Sequence, residues 1–114
     1  MDLTGFSLAS REVLARAARE AVAAGNAHVG VEHFFLALLQ FGGPDVRRAL
    51  VAAAVDPERI EKVMRAWIHI AAPAHRAAER IWTPRLERVQ TAARLLAAQY
   101  GSPGVEPGHF LLAL

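Results

Sequence analysis

Apolar residues recur along the chain at intervals of three and four, and each run is bounded by Gly, Pro or a hydroxyl residue. That spacing lines them up on one face of an α-helix. The first such segment covers about 8–24, with Leu14, Ala17, Ala18, Ala21 and Val22 as its stripe. Ser7 stands ready to cap it and Gly25-Asn26 to stop it. The second, about 31–41, is apolar almost all round (FFLALL) and ends at Gly42-Gly43, which predicts a central, buried helix. The third opens on Pro44 and carries Val46, Ala49, Leu50, Ala53 and Ala54. The fourth opens on Asp56-Pro57, a cap followed by a first-turn proline, with the stripe Ile60, Val63, Met64, Trp67 and Ile68. Residues 71–80 (AAPAHRAAER) have no period and include Pro73, so they read as a linker. Thr83-Pro84 repeats the cap signal for a fifth helix over about 84–100, with Leu86, Val89, Ala93, Leu96, Ala97 and Tyr100 on one face. Pro107 starts a sixth. No segment alternates as a strand does, and the short connections suit packed antiparallel helices, so the fold class is all-α.

One pattern is written twice. Residues 29–38 read VGVEHFFLAL and residues 105–114 read VEPGHFLLAL. Sliding the chain on itself by 76 residues matches Val13 with Val89, Ala17 with Ala93, Ala21 with Ala97, Gly25 with Gly101 and Val29 with Val105. It also matches His33 with His109, Phe34 with Phe110, Leu36 with Leu112, Ala37 with Ala113 and Leu38 with Leu114, making ten identities over 33 positions. Ser7 meets Thr83, so both copies begin with a hydroxyl cap. A shared helix stop, loop and helix opening go beyond composition and indicate an internal duplication. The chain therefore reads as one domain over 1–114: a pseudo-twofold duplicated four-helix repeat, here about six helices. The first repeat covers about 6–70 and a partial second repeat about 82–114. Partners of the third and fourth helices would lie at roughly 120–146. The expectation is a fragment, or a second chain that supplies the missing cover. Apolar faces of helices five and six would then be exposed, favouring self-association or domain swapping.

Composition narrows the chemistry. The chain is 54% hydrophobic, enough for a core, and lacks Cys, which excludes disulfides and thiolate metal sites. The amino-terminal sequence has no basic patch followed by an apolar run, and HFFLALLQF is too short to span a bilayer. A cytoplasmic protein without membrane attachment is expected. Net charge is +2, carried by twelve Arg and a single Lys. The Arg alternate with Glu along helical patterns, as on solvated faces and not as in a basic arm. Lys62 lies in EKVM, so no P-loop exists; there is no H-E-x-x-H, His69 and His75 lack ligand spacing, and no G-x-S-x-G elbow occurs. No catalytic constellation, metal site or cofactor site is expected. His33 and His109 could serve metal or catalysis, but the preferred reading is a partly buried His bonded to the preceding loop. Binding remains.

The stretches FSLASREVLARAAREAVAAGNAHVGVEHFFLALL and WTPRLERVQTAARLLAAQYGSPGVEPGHFLLAL resemble the two repeats of the Clp N-domain, the N-terminal module of Clp-type AAA+ unfoldases such as ClpA, ClpB and ClpC. The resemblance covers essentially the whole chain. It implies a module that binds unfolded or partly disordered substrate proteins, or an adaptor protein, and hands them to an AAA+ ring in cis, with no ATPase or protease activity of its own. It also implies two candidate surfaces. One is an apolar groove lined by members of the set Phe6, Phe34, Phe35, Phe41 and Trp82, the alternative being that these rings are core. The other is the hydroxyl-plus-carboxylate pair that resembles a phosphoarginine pocket in ClpC-like relatives: Ser7 with Glu32 in the first copy, and Thr83 with Gly108 in the carboxylate's place in the second. The alternative is that Ser7 and Thr83 are helix caps and Glu32 a dipole partner. Rival functions are a stand-alone adaptor or decoy and, more distantly, an Arg-rich helical DNA-binding protein, for which the mixed charges argue poorly.

Overall fold

The computed structural model describes residues 3–71 and 81–114. Six helices make up most of these residues: α1 (Leu8–Ala23), α2 (Val31–Phe41), α3 (Pro44–Ala52), α4 (Pro57–Ala71), α5 (Pro84–Gln99) and α6 (Pro107–Ala113). Two very short strands join them, β1 (His28–Val29) and β2 (Ile81–Trp82), paired in parallel. The expected linker at 71–80 lies, beyond Ala71, outside the described residues.

The helix ends follow the punctuation of the chain. Ser7 and Thr83 are N-caps, their side-chain oxygens accepting from Ser10 N at 3.1 Å and Leu86 N at 3.2 Å. Asp56 Oδ1 accepts from Glu58 N at 3.1 Å and so opens α4. Gly25 and Gly101 each adopt positive φ, 76° and 66°, just past α1 and α5. The two stops have matching bonds: Gly25 N to Val22 O and Asn26 N to Ala21 O in one, Gly101 N to Ala98 O and Ser102 N to Ala97 O in the other. This is the Schellman arrangement, which satisfies the last carbonyls of a helix. Gly42 is required for space, since a Cβ there would collide with Leu38 O.

α1 packs on α2, and α5 on α6. Ala17, Ala21, Ala93 and Ala97 line these contacts and are buried, their small side chains permitting close approach. α2 carries the centre of the core, with Phe34, Leu36, Ala37 and Leu38 wholly enclosed. Phe110 of α6 meets Phe34 edge-on at 4.9 Å and Phe6 at 5.3 Å. Each buried Phe contributes about 1.5–3 kcal/mol by desolvation alone.

Burial departs from the sequence stripes at several places. In α1, Val13 and Ser10 are buried while Val22 faces solvent. In α3 only Val46 and Leu50 are buried, and Ala54 lies past the helix end at φ 62°. In α5, Gln90 takes an inward place while Tyr100 caps the helix and is exposed. In α4 the five-residue stripe splits: Met64 and Ile68 are buried, whereas Val63 and Trp67 point outward. A periodic pattern gives a helix's apolar width, but the neighbouring helix decides how much of it is covered.

Candidate functional site

The loop before each of α2 and α6 is built alike. In the first copy Gly30 N donates to His33 Nδ1 at 2.9 Å, and in the second Glu106 N donates to His109 Nδ1 at 2.8 Å. Both histidines therefore tie down the entry to their helix. His33 is buried, and that burial lowers its pKa below the ordinary histidine value, against smaller opposing effects of Glu32 and Glu20. A neutral ring that accepts at Nδ1 carries its proton on Nε2. The Asn26 amide nitrogen lies 2.8 Å from Nε2 while its oxygen is buried without a partner among the described residues, so turning the amide over would give the Nε2 proton an acceptor. Among the described residues, no cluster of His, Asp or Glu could hold a metal ion.

These two loops are joined crosswise. Val29 pairs with Trp82, and Thr83 N donates to Val29 O at 3.0 Å. Phe6 pairs with Val105, and Ser7 N donates to Val105 O at 3.0 Å. Each repeat thus lends its cap segment to the other repeat's loop. Ser10 adds a buried bond from Oγ to Val105 O at 2.6 Å.

Crossing changes the expected pairs. Glu32 lies near Thr83, for a Cβ on Gly30 would meet Glu32 Oε2 at 2.7 Å and Thr83 Cγ2 at 3.8 Å. Ser7 sits instead on the loop carrying Val105 and Glu106. Sliding the sequence aligns like with like, but it does not say which copy's cap meets which copy's loop.

The aromatic set divides too. Phe6 and Phe34 are buried core, which corrects their placement at a binding surface; their rings fill the contact with Phe110. Phe35 and Trp82 are half-buried against the same core. Only Phe41 of the set is exposed. Arg16 stacks over it at 4.4 Å, in a cleft of about 310 Å³ shared with Arg19 and Arg65. Salt bridges run from Arg16 to Glu12 and from Arg65 to Glu20 and Glu61, so this cleft is close to charge-balanced.

A larger groove of about 710 Å³ lies between the start of α3 and α6. Leu111, Leu112, Ala49, Pro44 and Pro107 give it an apolar floor, and Tyr100 stands at one side. Asp45 and Glu106 bring carboxylates to it; Asp45 also meets Arg48 at 2.5 Å. Sequence reasoning expected α5 and α6 to expose apolar residues and missed that α3 closes them into a groove. The pairing of Leu36 with Leu112 was the available signal: Leu36 is buried and shares a small cavity with Ile68 of α4, whereas Leu112 is exposed.

The duplicated helices, crossed loops and paired histidines define a class of domain. The profile of the Clp repeat (R) N-terminal domain matches residues 5–114, and the chain belongs to that family. Solved structures share the fold. The N-domain of ClpV from Vibrio cholerae superposes with a TM-score of 0.83 at 20% identity, covering 97% of this chain and 66% of that one. A ClpV N-domain in complex with a VipB peptide gives 0.80 at 20%, covering 97% and 68%. The N-terminal domain of ClpD from Arabidopsis thaliana gives 0.69 at 18%, covering 99% and 78%. The chain thus spans just under two thirds of the Vibrio domain's length. No curated protein sequence matches it.

Proposed function

We propose that this domain is the polypeptide-binding module of a Clp-type AAA+ unfoldase, and that the groove between α3 and α6 is its docking place. The groove's chemistry carries the reading: an apolar floor with the carboxylates of Asp45 and Glu106 at its sides suits an apolar segment bearing a basic residue. A related domain fold binding a VipB peptide supports a peptide-sized ligand. Substrate proteins or an adaptor would present the segment, and an AAA+ ring would act on what is bound, in the cytoplasm. A stand-alone adaptor would use the same groove without the ring. Among the described residues, no helix is long and apolar enough to cross a membrane.

The test is fluorescence anisotropy with a labelled, unstructured, apolar-rich polypeptide carrying scattered Arg. Saturable binding is expected, abolished by Leu112→Glu and weakened modestly by salt, because the carboxylates are solvent-screened. Equal binding by Leu112→Glu and the parent chain would remove the groove from the account.

The Glu32–Thr83 juxtaposition favours a second, smaller site for a phosphoarginine side chain: carboxylate for the guanidinium, hydroxyl and helix start for the phosphate. Loss of phosphoarginine binding in Glu32→Ala, with helicity intact by circular dichroism, is the expected result. Retention would leave Thr83 as a cap only.

A further inference from the structure

We propose that the cleft beside Phe41 is a second docking surface, and that it takes an acidic segment of a partner protein which also presents one apolar side chain. Its charge preference is opposite to that of the α3–α6 groove.

The cleft belongs to the first repeat, and its walls come from α1, α2 and α4. Its lining holds three guanidiniums, Arg16, Arg19 and Arg65, against one carboxylate, Glu20. Arg16 lies over the Phe41 ring at 4.4 Å while its Nε donates to Glu12 at 2.8 Å. A guanidinium stacked in this way keeps its Nη donors in the plane of the group, where a carboxylate can meet two N–H groups at once. Arg19 is exposed and pairs with no carboxylate among the described residues. Arg65 meets Glu20 at 3.5 Å and Glu61 at 3.7 Å, longer than a tight charged pair of about 2.7–2.9 Å. The resting ion pairs thus balance the cleft without saturating its donors.

The internal repeat separates these charges from the needs of folding. Ala92 and Leu95 hold the registers of Arg16 and Arg19 in the second copy. α5 packs on α6 without guanidiniums there, so the packing of α1 on α2 does not call for them.

An apolar pocket adjoins the cleft. It measures about 190 Å³, is lined by Ala24, Leu36 and Ile68, and shares Glu20, Ala23 and Arg65 with the cleft. The Arg65–Glu20 pair therefore stands between the two spaces. A carboxylate that takes Arg65 from Glu20 places its neighbouring side chain at the mouth of this pocket. Room for one apolar side chain beside three guanidiniums selects an acidic residue next to a Leu or Ile, and rejects a basic segment by like-charge repulsion.

The experiment is fluorescence anisotropy on the chain with a labelled, unstructured peptide of Glu and Gly with scattered Leu. Saturable binding is expected, about tenfold weaker in Arg19→Glu through loss of one charged hydrogen-bonded contact. Glu20→Gln removes the competing carboxylate and binds more tightly than the parent chain. Arg88→Glu makes the same change in net charge at an exposed position of α5 and leaves binding as it was. Leu112→Glu also leaves it as it was, which separates this cleft from the α3–α6 groove. Circular dichroism checks each fold, and Arg19→Gln gives a smaller loss should the charge reversal disturb α1. A parent chain that does not bind the peptide overturns the proposal. So does equal weakening by Arg19→Glu and Arg88→Glu, which would leave only the overall charge of the domain, and so does undiminished binding of the same peptide with Gln in place of Glu.

Discussion

Leu36 and Leu112 hold the same register in the two repeats and meet opposite fates: Leu36 is wholly buried and Leu112 is 63% exposed. Leu36 lies mid-way along α2 beside Arg65 and Ile68 of α4, whereas Leu112 lies in the last turn of α6. Leu36→Ala should cost about 2–5 kcal/mol, the range for a deleted core leucine. Leu112→Ala should stay within about 0.5 kcal/mol, as at an ordinary surface position. Urea denaturation of the two variants at low protein concentration makes the comparison. Similar losses at both sites would mean that Leu112 is covered in solution.

Phe34 and Phe110 are repeat partners whose rings meet at 4.9 Å with an interplanar angle of 62°. Edge-to-face pairs contribute about 0.5–1.5 kcal/mol beyond their buried area. A double-mutant cycle with Phe34→Leu and Phe110→Leu should therefore return a coupling of that size, with the single variants still folded. Coupling near zero would show that the two repeats are held together by the crossed loops and not by this aromatic contact.

Much of this fold was legible in the chain. Ser7, Pro44, Asp56, Thr83 and Pro107 marked helix starts because capping and proline chemistry act within a turn. Gly25, Gly42 and Gly101 marked stops for the same local reason. What escaped the sequence depends on distant neighbours. Val63 and Trp67 look like core on α4 until α2 is seen to cover only the Met64–Ile68 side. Phe6 looks like a groove residue until Phe110 is found 5.3 Å away. β1 and β2 are too short to alternate, and their pairing is a long-range bond between copies. The same crossing brings Thr83 near Glu32.

His33 gives the domain an acid limit. Its folded pKa lies below the ordinary value of 6.5, chiefly because burial disfavours the charged ring. Above pH 6.5 both folded and unfolded chains carry a neutral His33, and its stabilising bonds count in full. As pH falls below 6.5 the unfolded chain takes up the proton first, so stability drops progressively until the folded pKa is passed. Denaturant midpoints at pH 7.5 and 5.5 should thus differ for the parent chain and differ less for His33→Gln. Equal losses in both would assign the acid sensitivity to other groups.

Three helix ends use the same Schellman bonds, but one has the wrong residue for it. Past α3, Ala54 N donates to Val51 O and Val55 N to Leu50 O, both at 2.9 Å, matching the pattern at Gly25 and Gly101. Here the left-handed position is held by Ala54, at φ 62°. A Cβ in that conformation crowds the carbonyl oxygen and costs about 1–2 kcal/mol. Ala54→Gly removes that cost and gives back part of it as extra freedom in the unfolded chain. A net gain of about 0.5–1 kcal/mol is expected. The reciprocal change, Gly101→Ala, meets no atom within 4 Å of its new Cβ, so its loss reports backbone strain alone. Thermal denaturation should show opposite shifts of similar size for the two variants. A fall in melting temperature for Ala54→Gly would mean that the entropy of the unfolded chain outweighs the strain at this helix end.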